Sequence, residues 1–206
     1  MKRCVIVGGA DILDYNSIKK YLRADDFAVF CDCGLRHSKG LGLKPSLIVG
    51  DFDSSANPNL NVETIVLPCE KDDTDTVFAV KEALSRGYTD FLILGTVGQR
   101  LDHTLGNVSI LKMLYDKGFT ALMVDDYCEM TAAGQEPQLI EDSYPYFSLI
   151  NVFGKTTGIT IKNAKYPLVD AEITSDYQYG VSNEVLKGKT AEVSVKDGVL
   201  LLIKVR

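Results

Sequence analysis

The first 126 residues alternate short apolar runs with stretches of helical periodicity, and this alternation limits the possible folds more than any other feature. The apolar runs are mostly β-branched or aliphatic, as in buried strands: residues 4–7, 27–31, 47–49, 64–67, 91–94 and 121–124. Between them, apolar residues at helical spacing predict helices over residues 16–23, 75–86 and 102–117. This alternation predicts an α/β domain with a mainly parallel sheet flanked by helices.

The pattern changes after residue 126. The remaining residues contain no long amphipathic helix pattern but several runs rich in β-branched and aromatic residues: 146–153, 158–161, 168–173, 191–195 and 199–205. Turn residues separate these runs, and the sequence Lys196-Asp197-Gly198-Val199 predicts a β-hairpin. We therefore predict two domains: an α/β domain over residues 1–126 and a smaller all-β domain, sandwich-like or barrel-like, over residues 127–206.

Charge and composition exclude several classes of protein. The net charge of −6 argues against a nucleic-acid-binding protein, because such proteins need a basic face for the phosphates. The five cysteines have irregular spacing and form no CxxC pair, which argues against a disulfide framework or a structural zinc site. The first apolar run ends at Gly8, too early for a signal peptide or a membrane span, so we expect a cytoplasmic protein without a membrane partner.

Two aspartates follow the third predicted strand directly. In an extended segment alternate side chains share a face, so Asp51 and Asp53 would point the same way, with Phe52 turned into the core. Neighbouring carboxylates repel each other, and a hard divalent cation removes that repulsion. The alternative is a polar turn at the end of a strand, where aspartate and serine are common.

Three further polar segments also lie between a strand and a helix. The first reads Lys71-Asp72-Asp73-Thr74-Asp75, the second runs from Gly95 to His103 and includes Arg100 and Asp102, and the third contains Asp32. Some of these residues could simply cap helices, and a histidine in a first helical turn, such as His103, is often structural. Four acids between Glu70 and Asp75 nevertheless exceed what capping needs.

Taken together, these segments predict a metal–nucleotide site. Ligands bind beyond the carboxyl ends of parallel strands, which is where all of these residues fall. Carboxylates repel a polyphosphate, but they can bind it through Mg²⁺, which bridges acids to phosphate oxygens. The sequence contains neither a P-loop nor a complete Gly-x-Gly-x-x-Gly motif, and the segment Val7-Gly8-Gly9-Ala10-Asp11 is read as an ordinary strand-to-helix turn.

The order and spacing of these segments resemble the thiamine pyrophosphokinase family. The resemblance rests on Asp32-x-Gly34, Gly50-Asp51-Phe52-Asp53-Ser54, Lys71-Asp72-x-Thr74-Asp75 and Gly95-x-x-Gly98-x-Arg100-x-Asp102-His103. Downstream it continues through Gly158-Ile159-Thr160-Ile161, Tyr166-Pro167-Leu168 and Val181-Ser182-Asn183-Glu184. It therefore covers nearly the whole chain.

The resemblance implies an enzyme that transfers the diphosphate of ATP to thiamine, giving thiamine diphosphate and AMP. It implies a homodimer with the site at the subunit interface, an ATP- and magnesium-binding first domain and a thiamine-binding second domain. It assigns Mg²⁺ to Asp51, Asp53, Asp75 and Asp32, and ATP to Lys71, Thr74, Arg100 and His103. It assigns thiamine to Ser182 and Asn183, and catalysis to Asp72, Arg100 and Asp102, with either aspartate able to assist deprotonation.

Two alternatives remain at this point. A strand followed by Asp51-Phe52-Asp53 also resembles the opening of haloacid-dehalogenase-like phosphatases, in which the first aspartate is a covalent nucleophile. That family does not predict an all-β second half. The other alternative is a non-catalytic module that senses a nucleotide or a metal.

Overall fold

The structure is a computed structural model and describes residues 2–52, 60–70, 72–98 and 100–206. Within the described residues, the chain separates into two compact units, residues 1–126 and residues 127–206. Among the described residues of both units, no helix is long and apolar enough to cross a membrane.

The first unit is built on a parallel sheet with strand order β4-β3-β2-β1-β5-β6. Its strands are β1 Arg3–Val7, β2 Phe27–Cys31, β3 Leu47–Gly50, β4 Glu63–Val66, β5 Asp90–Leu94 and β6 Thr120–Val124. Its helices are α1 Tyr15–Lys19, a 3₁₀ helix Asp32–His37, α2 Ser38–Leu41, α3 Asp75–Ser85 and α4 Leu101–Asp116.

The central strands of the first unit's sheet are buried on both faces. The run from Cys4 to Val7 is fully buried, and the equivalent parts of β2, β3 and β5 are almost fully buried. Such continuous apolar runs are typical of parallel strands covered by helices, because no face is left for polar residues. The α/β fold class predicted for this half is confirmed.

The second unit is all-β and antiparallel, as predicted. Its strands are β7 Cys128–Ala133, β8 Gln138–Glu141, β9 Tyr146–Ile150, β10 Thr156–Lys162, β11 Leu168–Ile173, β12 Thr190–Ser194 and β13 Leu200–Val205. One set pairs in the order β7-β13-β9 and the other in the order β11-β10-β12-β8. Phe147, Ile161 and Leu202 come from different strands of the two sets and share one buried core.

The predicted hairpin at Lys196–Val199 is wrong. The strands on either side of it, β12 and β13, pair with different neighbours and not with each other. Asp197 instead exchanges backbone hydrogen bonds with Thr157, at 2.9 and 3.2 Å. Gly198 has a φ of +89°, and a Cβ there would lie 2.3 Å from the carbonyl oxygen of Lys155, so only glycine fits at this position. These turn residues therefore connect a strand of one set to a strand of the other.

A buried ion pair lies in the second unit. Lys204 Nζ lies 2.6 Å from Glu129 Oε2, and the Tyr144 hydroxyl donates a 2.8 Å hydrogen bond to Glu129 Oε1. The side chains of Glu129 and Lys204 are largely shielded from solvent. Burial, and then the hydrogen bond to Glu129, raises the pKa of Tyr144 well above its usual value, so its hydroxyl stays a donor.

Replacing Lys204 with Met should lower the free energy of unfolding by about 3 kcal/mol, because the buried Glu129 carboxylate loses the Lys204 ammonium. Urea unfolding followed by circular dichroism measures this loss. The matched control is Lys162→Met, whose exposed pair with Glu192 should be worth no more than about 1 kcal/mol. Equal losses for the two variants would contradict this account of the pair.

Candidate functional site

A cavity of about 420 Å³ opens in the first unit, beyond the carboxyl ends of β1, β2 and β5. Its walls are residues 8–11 after β1, residues 31–33 and 36 around the end of β2, residues 74–76 at the start of α3, and residues 95, 96, 98, 100, 103, 104 and 107 after β5. The order of strands reverses between β1 and β5, and such a switch point is where open parallel sheets bind their ligands.

Close contact between loop backbones forms part of the cavity wall. A Cβ on Gly34 would lie 2.2 Å from the Val7 carbonyl oxygen, and a Cβ on Gly8 would lie 2.5 Å from that of Gly95. Only glycine fits at these two positions, because any side chain would push the loops apart. These glycines therefore let the loops after β1, β2 and β5 lie against one another.

Five residues predicted for the site line this one cavity, although they come from distant parts of the sequence. They are Asp32, Thr74, Asp75, Arg100 and His103. Asp51, Asp72 and Asp102 are not among its lining residues. Asp53 and Lys71 lie outside the described residues, and Ser182 and Asn183 belong to the second unit.

Asp32 and Asp51 lie at the ends of neighbouring strands. Asp32 follows β2 and adopts a φ of +36° as the 3₁₀ helix begins, and its Oδ2 accepts a hydrogen bond from Cys33 Sγ at 3.2 Å. Gly50, at the end of β3, packs against it, since a Cβ there would lie 3.1 Å from the Asp32 Cβ. The end of β3 is therefore held against Asp32.

The extended segment predicted after β3 is not present at Phe52. It assumed an extended segment with Phe52 turned into the core, but Phe52 has a φ of +55° and is only half-buried. The chain turns at Phe52, so the side chains here do not alternate between two faces as they would in an extended strand. Asp53 lies outside the described residues.

Thr74 and Asp75 begin α3. Thr74 is the N-cap, and its Oγ1 accepts a 3.3 Å hydrogen bond from the Val77 N–H. Asp75 is the first residue of the helix, is half-buried and lines the cavity. The capping alternative thus holds for Thr74, whereas Asp75 faces the site. Asp73 points elsewhere and forms an ion pair with Lys81 at 2.6 Å.

Arg100 and Asp102 form a two-pronged ion pair at the start of α4, at 3.0 and 2.6 Å. Both side chains are exposed, and exposed pairs hold together weakly, so a phosphate can recruit the Arg100 guanidinium. The hydrogen bond from Arg100 holds the pKa of Asp102 below its usual range. While the pair is closed, Asp102 orients the Arg100 guanidinium.

The sequence did not identify two charged residues that line this cavity, Arg36 and Asp11. Arg36 extends from the 3₁₀ helix, donates a 2.6 Å hydrogen bond to the Gly9 carbonyl and pairs with Asp11 Oδ1 at 2.7 Å. Asp11 belongs to the segment after β1 that was read as an ordinary turn. Arg36 and Asp11 are 25 positions apart, and no sequence spacing predicts a contact over that distance. The only feature of the sequence that pointed to this contact was an acid shortly after Gly8-Gly9.

Next to Arg36, a buried histidine ties the 3₁₀ helix to the first loop. His37 is 2 % exposed, and its ring nitrogens lie 2.8 Å from the Tyr15 hydroxyl and 2.9 Å from the Ala10 carbonyl. Because a carbonyl only accepts, Nε2 carries the proton and Nδ1 accepts from Tyr15. Burial, and then the nearby Arg36 charge, lowers the pKa of His37 below its ordinary value of 6.5.

His37 should make the protein less stable in mild acid. Above a pH of about 6.5 the histidine is neutral in both states, and as the pH falls the unfolded chain binds a proton first, so stability is lost down through the folded-state pKa. Urea unfolding at pH values of about 7.5 and 5.5 measures this loss. In His37→Gln the decline between the two pH values should be smaller; an unchanged decline would contradict it.

The two predicted thiamine contacts differ in their surroundings within the second unit. Ser182 is exposed, with a φ of +57° and its N–H bonded to Ser148 Oγ at 3.0 Å. Asn183 is buried, and its amide bonds both the N–H and the carbonyl of Tyr166, at 3.0 and 2.8 Å. Asn183 therefore fixes the loop at Tyr166, and Ser182 is the member of the pair that faces solvent.

In the described part of the chain, no three His, Cys, Asp or Glu side chains are gathered closely enough to hold a metal ion. The chemistry of the donors still fits magnesium, because Asp32, Asp51 and Asp75 offer only oxygen ligands. Mg²⁺ usually binds through one or two carboxylates, several waters and the phosphates of its substrate, so a complete protein cage is not required.

Comparison with known proteins gives a consistent result over both units. The profile described as "Thiamin pyrophosphokinase, catalytic domain" matches residues 18–123, and "Thiamin pyrophosphokinase, vitamin B1 binding domain" matches residues 136–200. A curated thiamine pyrophosphokinase from Bacillus subtilis (strain 168) is 28% identical over 175 residues, 79% of each chain.

Solved structures agree with these matches. The thiamine pyrophosphokinase structure from Bacillus subtilis is 25% identical, covers 99% of both chains and gives a TM-score of 0.85. The thiamin pyrophosphokinase structure from Geobacillus thermodenitrificans is 28% identical, covers 99% of this chain and 97% of its own, and gives a TM-score of 0.81. These relatives offer no support for the phosphatase or the sensing module.

Proposed function

We propose that the cavity of the first unit holds ATP, because the chain belongs to the thiamin pyrophosphokinase family and so transfers a diphosphate group from ATP to thiamine. The observation that carries the proposal is that Asp32, Asp75 and Arg100 line one cavity at the carboxyl ends of parallel strands. Acids, a cation and exposed loop backbone together suit a metal-bound polyphosphate.

Magnesium would be held at this edge of the sheet by carboxylates from neighbouring elements. Asp32 and Asp75 line the cavity, and Asp51 follows the strand that packs against Asp32. Asp53, the fourth proposed ligand, lies outside the described residues. When bound, Mg²⁺ neutralises phosphate charge that these acids would otherwise repel.

The residues proposed to contact ATP divide into two groups. Arg100 and His103 line the cavity at the start of α4 and supply side chains, with Arg100 able to exchange Asp102 for a phosphate. The Thr74 hydroxyl already caps α3, so we propose that the contact at Thr74 is made by the N-terminus of this helix. Lys71 completes the proposed set and is not among the described residues.

The reaction is an in-line transfer at the β-phosphorus. The thiamine hydroxyl oxygen forms a bond to this phosphorus, the bond from phosphorus to the α,β-bridging oxygen breaks, and AMP leaves with that oxygen. The hydroxyl proton passes to a base, for which Asp72 and Asp102 are the two candidates. Arg100 would stabilise the charge that develops during transfer.

The second unit is proposed to bind thiamine, with Ser182 as a direct contact and Asn183 as the residue that shapes the adjacent loop. The support is the hydrogen-bonding pattern, since the Asn183 amide is engaged with Tyr166 while Ser182 faces solvent. As the resemblance implies, we also propose that the protein is cytoplasmic and forms a homodimer with its site at the subunit interface. Sedimentation equilibrium of the purified protein tests whether it is a dimer.

The proposed function predicts AMP formation that requires both thiamine and Mg²⁺. A coupled assay that detects AMP, with each component omitted in turn, tests it. Release of phosphate from simple phosphoesters without AMP would favour a phosphatase. Tight ATP binding with no turnover over a wide range of thiamine would favour a sensing module.

Replacing Asp75 with Asn should lower kcat by about 10²–10³-fold, because the site loses a charge that positions the metal and the polyphosphate. Stability should change by only about 0.3–1 kcal/mol, the value of one acid in a first helical turn. The AMP assay measures the first effect and thermal unfolding the second.

Asp73→Asn is the matched control for this variant. It makes the same change two positions away, at a carboxylate that pairs with Lys81 and does not line the cavity. Near-native turnover in Asp75→Asn, or equal losses in both variants, would remove Asp75 from the site.

A further inference from the structure

We propose that Asp11 and Arg36 recognise the ribose of the nucleotide, with Asp11 accepting hydrogen bonds from the vicinal hydroxyls and Arg36 holding Asp11 in position. The inference rests on the proposed function in one respect, that ATP occupies this cavity. It adds a specificity-determining residue and a positioning residue to the site. The sequence motifs assigned neither residue to the site.

The two side chains form a defined pair inside the cavity. Arg36 Nη2 lies 2.7 Å from Asp11 Oδ1, and both residues line the cavity. Their side chains are 50 % and 62 % exposed, so a ligand can reach the carboxylate without displacing the protein around it. One residue follows β1 and the other follows β2, so the pair bridges two neighbouring walls.

Arg36 is held from several directions and is therefore a suitable anchor. The same Nη2 donates a 2.6 Å hydrogen bond to the Gly9 carbonyl, and the next residue along the chain, His37, is buried against the loop after β1. His37 in turn contacts Tyr15 and the Ala10 carbonyl. The guanidinium is thus fixed by the backbone of the same loop that carries Asp11, which keeps the carboxylate in one place.

Charge decides which part of the nucleotide fits here. A carboxylate repels phosphate, and Arg36 is bound to the Gly9 carbonyl as well as to Asp11, so it is less able than Arg100 to turn toward a phosphate. A carboxylate accepts hydrogen bonds and does not donate them, whereas two vicinal hydroxyls donate two. Dinucleotide-binding folds show that a carboxylate can bind a ribose hydroxyl, although their acid lies about 20 residues beyond the first turn, whereas Asp11 directly follows β1.

The test compares ATP with 2′-deoxy-ATP. Wild-type protein should prefer ATP by about tenfold or more in kcat/KM for AMP formation, since a hydrogen bond to a charged group is lost with the deoxy sugar. In Asp11→Ala this preference should fall to within about twofold, because the acceptor is gone. Asp25→Ala, at an exposed aspartate that does not line the cavity, should keep the wild-type preference.

Arg36→Gln separates positioning from phosphate binding. If Arg36 acts through Asp11, the variant should lose much of the preference for ATP over 2′-deoxy-ATP, a ratio that general destabilisation does not move. A variant that weakens both nucleotides equally, while Asp11→Ala keeps the full preference, would assign Arg36 to phosphate and overturn the ribose proposal.

The result also separates this inference from the proposed function. Protein that uses ATP and 2′-deoxy-ATP equally well for AMP formation would overturn the inference and leave the function standing. Calorimetric dissociation constants for the two nucleotides with Mg²⁺ give the same comparison without turnover. A preference for ATP in binding, lost in Asp11→Ala, would support the inference even in protein that forms no AMP.

Discussion

The site depends on the close backbone contact between the loops that follow β1, β2 and β5. The N–H of Gly8 bonds the Leu94 carbonyl and that of Ala10 bonds the Gly95 carbonyl, both at 2.8 Å. Gly34 completes the contact, since no Cβ would fit against Val7. Because these loops cannot separate without losing the contact, residues far apart in the chain are held around one cavity. The parallel sheet supplies the strand ends, and the glycines let them meet.

Charge around the cavity is divided between two regions of different chemistry. Asp32 and Asp75 gather acidic oxygens that would repel a polyphosphate unless a divalent cation lay between them. The Asp11–Arg36 pair is neutral overall and suits an uncharged, hydrogen-bonding group. Arg100 lies on a third element, in a weak exposed pair that a phosphate can replace. This division gives a long ligand with one charged and one neutral end a single favourable orientation.

The sequence predicted the parts of the fold that depend on local patterns. The buried runs became the strands of the parallel sheet, and the acids that follow them include Asp32, directly after β2, and Asp75, at the start of α3, which both line the cavity. What it did not predict depends on contacts distant in the chain. β7 and β8 were missed because their residues carry little of the β-branched and aromatic composition that marked the other strands. The expected hairpin failed because β12 and β13 pair elsewhere. Arg36 has no local signature, since its role comes from its contact with Asp11.

The central claim is that carboxylates at the ends of parallel strands hold the nucleotide through a divalent cation and not directly. The most direct test is calorimetric binding of α,β-methylene-ATP, which cannot be cleaved at the reacting bond, with Mg²⁺ and with excess EDTA. The account predicts tight binding with Mg²⁺ and affinity weaker by about 100-fold or more in EDTA, because the acids then face bare phosphates. Equal affinity in both conditions would contradict it.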